Sequence, residues 1–194
     1  MSFFASAQDK GNVEFGFNVG LSGSTVSDDN NVADSRTGFN AGASAEYYFS
    51  RSWGIKAKVI YDRKGYDNGI ITVSDNFGTY DYSTNYKLDY FTVPVMANWH
   101  FGRKKNWYLN FGPYAGFLVS AKDSRFDFDV KREFESTDFG FAYGIGVKIP
   151  VSQYLKIFIE YDGQEGFTNI FKDNYYNNTT NSRGAFNIGL NFML

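Results

Sequence analysis

Hydrophobic and polar residues alternate along most of this chain with a period of two, and the alternating segments are joined in turn by a long polar stretch and a tight turn. The first segment sets Val13, Phe15, Phe17, Val19 and Leu21 against Glu14, Gly16, Asn18 and Gly20. The second runs from Phe39 to Phe49. The third runs from Trp53 to Asp62, with Ile60 alone out of phase. Segments beginning at Thr92, Trp107, Phe139 and Leu155 follow the same rule, and the last carries Phe186, Ile188, Leu190, Phe192 and Leu194. A repeat of two residues means strands with two unlike faces, and no helical period competes with it.

The long connections fall near 23–35, 67–85, 121–137 and 163–182, and the tight turns near 50–52, 102–106 and 150–153. In a soluble barrel neither end has a reason to collect all the long loops. A barrel across an outer membrane has short periplasmic turns and longer extracellular loops. The pattern therefore predicts an all-β fold: an eight-stranded antiparallel up-and-down transmembrane β-barrel, long loops outside the cell and both termini in the periplasm. The rival is a soluble lipocalin-like barrel, apolar inside and polar outside. The polar face decides between them. It is rich in Gly, Asn, Ser and Ala, as in Gly140, Ala142, Gly144 and Gly146, whereas a solvated exterior favours long charged side chains and gains nothing from glycine.

With the polar face turned inward, the lumen holds Glu14, Glu46, Lys56, Lys58, Asp62, Lys148, Lys156 and Glu160, which are expected to pair as a structural polar plug. The opposing face is bulky and ends in aromatics. Phe49, Trp53, Trp99, Phe101 and Trp107 near the turns, and Tyr61, Tyr90 and Tyr161 nearer the loops, are expected to form two interfacial girdles. Pro94 and Pro113 each remove a ladder donor, so a bulge or local opening is expected there.

Composition sharpens this picture. Of 194 residues, 20% are aromatic and 20 are glycine, an excess suited to a lipid-facing wall around a crowded interior. The balance of 19 basic and 21 acidic residues gives no basic excess for nucleic acid, so the expected partners are outer-membrane lipid and a protein of an outer-membrane complex. There is no cysteine, which excludes disulfides and thiolate chemistry. Residues 1–7 end in Ala5-Ser6-Ala7, like the tail of a signal peptide cleaved before Gln8, leaving 8–194 as one barrel domain.

Candidate chemistry is sparse, and no cofactor is called for. His100, the single histidine, falls at the turn end of its strand beside Gly102-Arg103-Lys104-Lys105, with Ser120 at the far end of the next strand. That is an interfacial or lumen-edge histidine rather than half of a lipid hydrolase. Asp28-Asp29-Asn30-Asn31, and Asp123 with Asp127 and Asp129, offer carboxylates but lack calcium-loop spacing, so solvated loop is the expectation. The tract Asn174–Thr180 mixes amides and aromatics on what reads as a surface loop.

Four stretches resemble the PorT-like outer-membrane β-barrel family typical of Bacteroidetes: Leu88-Asp89-Tyr90-Phe91-Thr92-Val93-Pro94-Val95, Phe111-Gly112-Pro113-Tyr114-Ala115-Gly116-Phe117-Leu118, Gly166-Phe167-Thr168-Asn169-Ile170 and Ile188-Gly189-Leu190-Asn191-Phe192. The resemblance implies a barrel in a Gram-negative outer membrane. Some members are implicated in secretion or gliding machinery, and no functional residue transfers. The family's usual terminal aromatic is replaced here by Phe192-Met193-Leu194, with Leu194 on the lipid-facing parity. The expected function is a small plugged barrel acting through its loops as a structural, adhesive or accessory binding subunit. The alternatives are a lipid-modifying enzyme or a small diffusion pore.

Overall fold

The computed structural model describes residues 10–27, 33–172 and 178–194, the side chain of Asp75 apart. The leader 1–7, the Asp28–Asn31 cluster and most of the Asn174–Thr180 tract lie outside them. Eight strands follow one another in chain order: β1 (Val13–Ser27), β2 (Asp34–Tyr48), β3 (Trp53–Asp75), β4 (Gly78–Phe101), β5 (Trp107–Asp123), β6 (Thr137–Pro150), β7 (Leu155–Gly166) and β8 (Thr180–Met193). Each pairs antiparallel with its neighbour, and β1 pairs with β8 to close the barrel. Closure leaves no open sheet edge, which a wall in hydrocarbon requires. No described helix is long and apolar enough to cross a membrane.

The strands outrun the apolar alternation that marks them in the sequence. Residues 67–85, expected as a loop, are mostly paired. β3 and β4 continue as a hairpin to Asp75↔Gly78, after a bulge between Tyr66 and Gly69. The pairs Val73↔Tyr80 and Ile71↔Tyr82 explain why: β-branched and aromatic residues oppose each other across the strands.

The outer wall is apolar. Phe17, Val19, Ile55, Val59, Val95, Ile145, Ile159 and Ile188 point outward and are exposed. On β4 the outward aromatics run from Phe91 to Phe101. At a rise of about 3.4 Å per residue and a tilt near 40°, that is a band about 25 Å tall, the height of a bilayer's apolar layer. Trp53 stacks on Trp99 at 6.1 Å and Trp99 on Phe101 at 5.1 Å near the turns. At the other end Tyr61 lies 6.1 Å from Phe39 and 5.7 Å from Phe91, and Tyr161 lies 5.0 Å from Phe186. Phe49 and Trp107 are also on the outer surface. Tyr90 is not a girdle residue. It is 1% exposed, because its even position on β4 shares the lumen face with Leu88, Thr92 and His100.

The ladder between β4 and β5 is interrupted between Pro94↔Tyr114 and Ala97↔Phe111, the local opening expected of two prolines that lack N–H groups. The bulge lies elsewhere. Register shifts between Asp89↔Ser120 and Tyr90↔Leu118, which turns Ala121 and Asp123 inward.

Glycine is placed opposite aromatic rings. Tyr108↔Gly146, Tyr114↔Gly140, Phe158↔Gly189 and Tyr143↔Gly163 are direct cross-strand pairs. A Cβ at Gly146 would meet the Tyr108 ring at 2.4 Å, and one at Gly189 the Phe158 ring at 2.5 Å. Each ring covers the backbone its glycine leaves bare, as in aromatic rescue. Gly146→Val is expected to push the Tyr108 ring aside and lower stability by about 1–3 kcal/mol. Denaturant titration of the refolded barrel measures it, and a variant as stable as the parent would contradict this packing.

Candidate functional site

Every second residue of a strand faces the lumen, so each strand delivers a column of polar side chains into a narrow interior. All eight charged residues expected there are buried: Glu14, Glu46, Lys56, Lys58, Asp62, Lys148, Lys156 and Glu160. They are joined by Lys64, Asp138, Asp162 and Arg183, and at the loop end by Asp123, so seven acids and six bases are buried among the described residues.

The charges form three tiers. Nearest the turns, Lys148 Nζ bonds Glu14, Glu46 Oε2 at 2.8 Å and the Tyr48 hydroxyl oxygen at 2.8 Å. Lys156 Nζ and Asn191 Nδ2 hold the two oxygens of Glu14 at 2.7 and 2.8 Å. His100 Nε2 lies 2.6 Å from Glu46 Oε1, with its ring between Tyr48 and Tyr108.

In the middle tier Glu160 is the hub. Its oxygens take Lys58, Lys56 Nζ at 3.2 Å, the Tyr108 hydroxyl at 2.8 Å and Asn110 Nδ2 at 2.9 Å. Lys56 Nζ also stands 4.9 Å above the Tyr108 ring, a favourable place for a cation. In the upper tier Arg183 joins Asp62, at 3.1 Å through Nε, to Asp162 through Nη1. Asn187 Nδ2 donates to Asp162 at 2.9 Å. The same tier ends in Lys64, whose Nζ lies 3.6 Å from Asp138, which accepts from Tyr114 and Asn181 at 3.1 and 3.0 Å. A void of about 10 Å³ between Lys58, Met96, Asp162 and Gln164 has room for one water.

An apolar lid closes the loop end. Tyr66, Tyr86, Leu88, Tyr90 and Leu118 from the strands meet Phe134 and Ile170 from the loops in one buried cluster, flanked by Val130 and Phe171. Backbone bonds fasten the two loops together: Glu135 N to Ile170 O at 2.8 Å and Lys172 N to Glu133 O at 3.1 Å. The Phe134 and Phe171 rings are 4.9 Å apart. Parts of 121–137 and 163–182 therefore fold inward over the lumen.

Asp123 corrects the expectation of a solvated carboxylate. It is buried, and it accepts the amides of Arg125, Phe126 and Phe128 at 2.9, 2.8 and 2.7 Å, with the Thr84 hydroxyl at 3.3 Å. Asp127 and Asp129 stay exposed. Burial opposes the Asp123 charge, but these donors outweigh it and hold the carboxyl below its ordinary range. A depressed carboxyl stabilises the fold above its unfolded pKa of about 4, and that stabilisation is lost as pH falls through the lower folded value. Acid is therefore expected to lower the protection factors against hydrogen exchange, corrected for the intrinsic rate, at the Arg125, Phe126 and Phe128 amides. Asp123→Asn is expected to flatten that pH response, and an identical profile in the variant would contradict the assignment.

Sequence reasoning missed Lys64, Asp138, Asp162 and Arg183 because they stand at or beyond the ends of the apolar alternation: Lys64 and Arg183 have no apolar neighbour in sequence, and Asp138 and Asp162 have one on one side only. Parity was the usable signal: Lys64 follows Asp62, Asp162 follows Glu160, and Arg183 keeps step with Asn187 and Asn191. Among the described residues no group of three or more His, Asp or Glu is placed to hold a metal.

A family model described as outer membrane protein beta-barrel domain matches residues 4–172. Among solved structures, the chain is similar to OprG from Pseudomonas aeruginosa at 12% identity and a TM-score of 0.55, covering 96% of this chain and 98% of that one. It is similar to Neisserial surface protein A at 16% and 0.53, covering 92% and 96%. Similarity to Ail, the attachment invasion locus protein of Yersinia pestis, is 18% with a TM-score of 0.49, covering 95% and 99%. No curated protein matches the chain.

Proposed function

This chain belongs to the outer membrane protein β-barrel domain family, and from that premise we propose that it is a plugged, non-enzymatic barrel acting through its loop-end surface as an adhesive or accessory binding subunit. The observation that carries this reading is the sealed interior: paired charges in tiers beneath an apolar lid. With the lumen filled, chemistry is left to the outside. Among the described residues the feature that stands out there is the β3–β4 hairpin, which exposes Ile70, Phe77 and Tyr80, with its Tyr82 against Phe126 of the stacked Phe126 and Phe128.

The rival functions meet specific obstacles. A hydrolase needs its histidine within reach of a nucleophile and substrate, and His100 is buried at the turn end against Glu46 and two tyrosines. A pore needs an open path, and the same network occupies it. The aromatic pairs at the two wall ends act as girdles in this reading, with the loops outside the cell and the termini periplasmic. Kinship with PorT-like barrels belongs to the same proposal and makes a larger outer-membrane complex the natural partner.

Photo-crosslinking in native outer membrane tests it. A crosslinker placed at Ile70 or Phe77 is expected to trap one protein partner reproducibly, whereas one at Trp107 traps lipid. Adducts from neither hairpin position would contradict a binding role for the hairpin.

A further inference from the structure

We infer that the outer wall carries a site for the phosphate of an anionic lipid headgroup, centred on Lys87 and Lys122 just above the loop-end aromatic band. The inference rests on the membrane reading and begins from a register anomaly. Lys87 on β4 and Lys122 on β5 are direct cross-strand partners. Both point outward, since Leu88 and Ala121 beside them are buried. Two like charges opposed across a ladder repel each other and destabilise the pair, unless an anion lies between them.

The surroundings add positive charge. Arg63, whose Cζ sits 4.9 Å over the Phe39 ring, stands on the neighbouring strand, and Lys131 reaches the Val119 carbonyl at 2.9 Å. Three acids offset this partly: Asp89 pairs with Arg63 at 3.0 Å, the exposed Asp127 with Lys122 at 3.3 Å, and Asp129 stands opposite Lys122 in a backbone bridge. Lys87 makes no ion pair among the described residues. The far side of the barrel at this height differs. There the wall shows Thr137, Glu165 and Ser182, and Ser182 donates to Glu165 at 3.1 Å.

Below the lysines, past Asp89 and Val119, lie Phe91 and Phe117, paired across the same two strands and exposed on the apolar band. A ligand meeting both surfaces has acyl chains against the aromatics and a phosphate at the lysines. That chemistry is a phosphorylated lipid of the loop-side leaflet. Lysine ammonium groups suit it as charge-assisted donors to phosphate oxygens.

The test uses the full chain in phosphatidylcholine nanodiscs doped with either bisphosphorylated lipid A or the same lipid stripped of its phosphates. Native mass spectrometry after extraction in mild detergent counts the lipid retained. The wild-type barrel is expected to retain the phosphorylated form about tenfold over the stripped form, the effect of one strong contact. Lys87→Gln/Lys122→Gln is expected to lose that preference, and Lys104→Gln, at the opposite end, to keep it. A preference that survives in the double variant, or is missing from the wild type, overturns the site. Stability gives a second readout with a change of sign. Lys87→Gln raises the unfolding midpoint in plain phosphatidylcholine by relieving repulsion, and lowers it in discs with phosphorylated lipid A. The same sign in both overturns the inference. A chain that inserts into neither disc overturns the membrane reading itself, and the site with it.

Discussion

Glu160→Leu is expected to lower the stability of the folded barrel by about 3–5 kcal/mol, the largest effect of any single lumen substitution. Glu160 satisfies four donors at once, from Lys56, Lys58, Tyr108 and Asn110. Lys58 keeps a second carboxylate in Asp162 at 3.4 Å, but Lys56 has no other ion pair among the described residues. Removing the hub therefore strands a buried ammonium, and the penalty is mostly that of an uncompensated charge. The companion variant separates this from lost packing. Lys56→Met/Glu160→Leu removes one charge of each sign, leaves Lys58 with Asp162 and Arg183 with Asp62, and is expected to recover most of the loss. Urea titration of barrels refolded in lipid gives both numbers. A double variant no more stable than Glu160→Leu would mean that shape, not charge, holds this tier.

Phe134→Ala is expected to open the lid without unfolding the wall. The ring is fully buried between Tyr86 and Phe171, and truncating such a phenylalanine costs about 3–5 kcal/mol. The loss falls on two loops fastened by a few backbone bonds, while the closed ladder is untouched. It should therefore surface as local opening. Limited proteolysis in detergent is expected to cut 124–136 and 167–172 far faster in the variant, with heat-modifiable gel migration unchanged. Equal cleavage rates would show that the lid is held by something other than this cluster.

The architecture was legible in the sequence because alternation fixes which face of every strand is apolar, and the order of long and short connections separates the two ends. Eight lumen charges followed from that parity alone. The rest was hidden for two reasons. Beyond the apolar band both faces turn polar, so Lys64 and Arg183 carry no contrast with their neighbours, Asp138 and Asp162 stand at its edge with an aromatic on one side only, and the β3–β4 hairpin reads as loop. Tyr90 shows the second reason. Tyrosine suits an interface as well as a lid, and only its even position on β4, shared with Thr92 and His100, tells which it serves. The lid was least accessible of all, since Phe134 and Phe171 meet through loop contacts between distant stretches of chain.

A sealed interior is the central claim, and single-channel recording in planar bilayers tests it most directly. The paired tiers and the lid together predict a silent bilayer for the parent, and also for Phe134→Ala, because the ion-paired tiers remain beneath an open lid. Stable, reproducible conductance steps from the parent would contradict the plug and make this a diffusion pore.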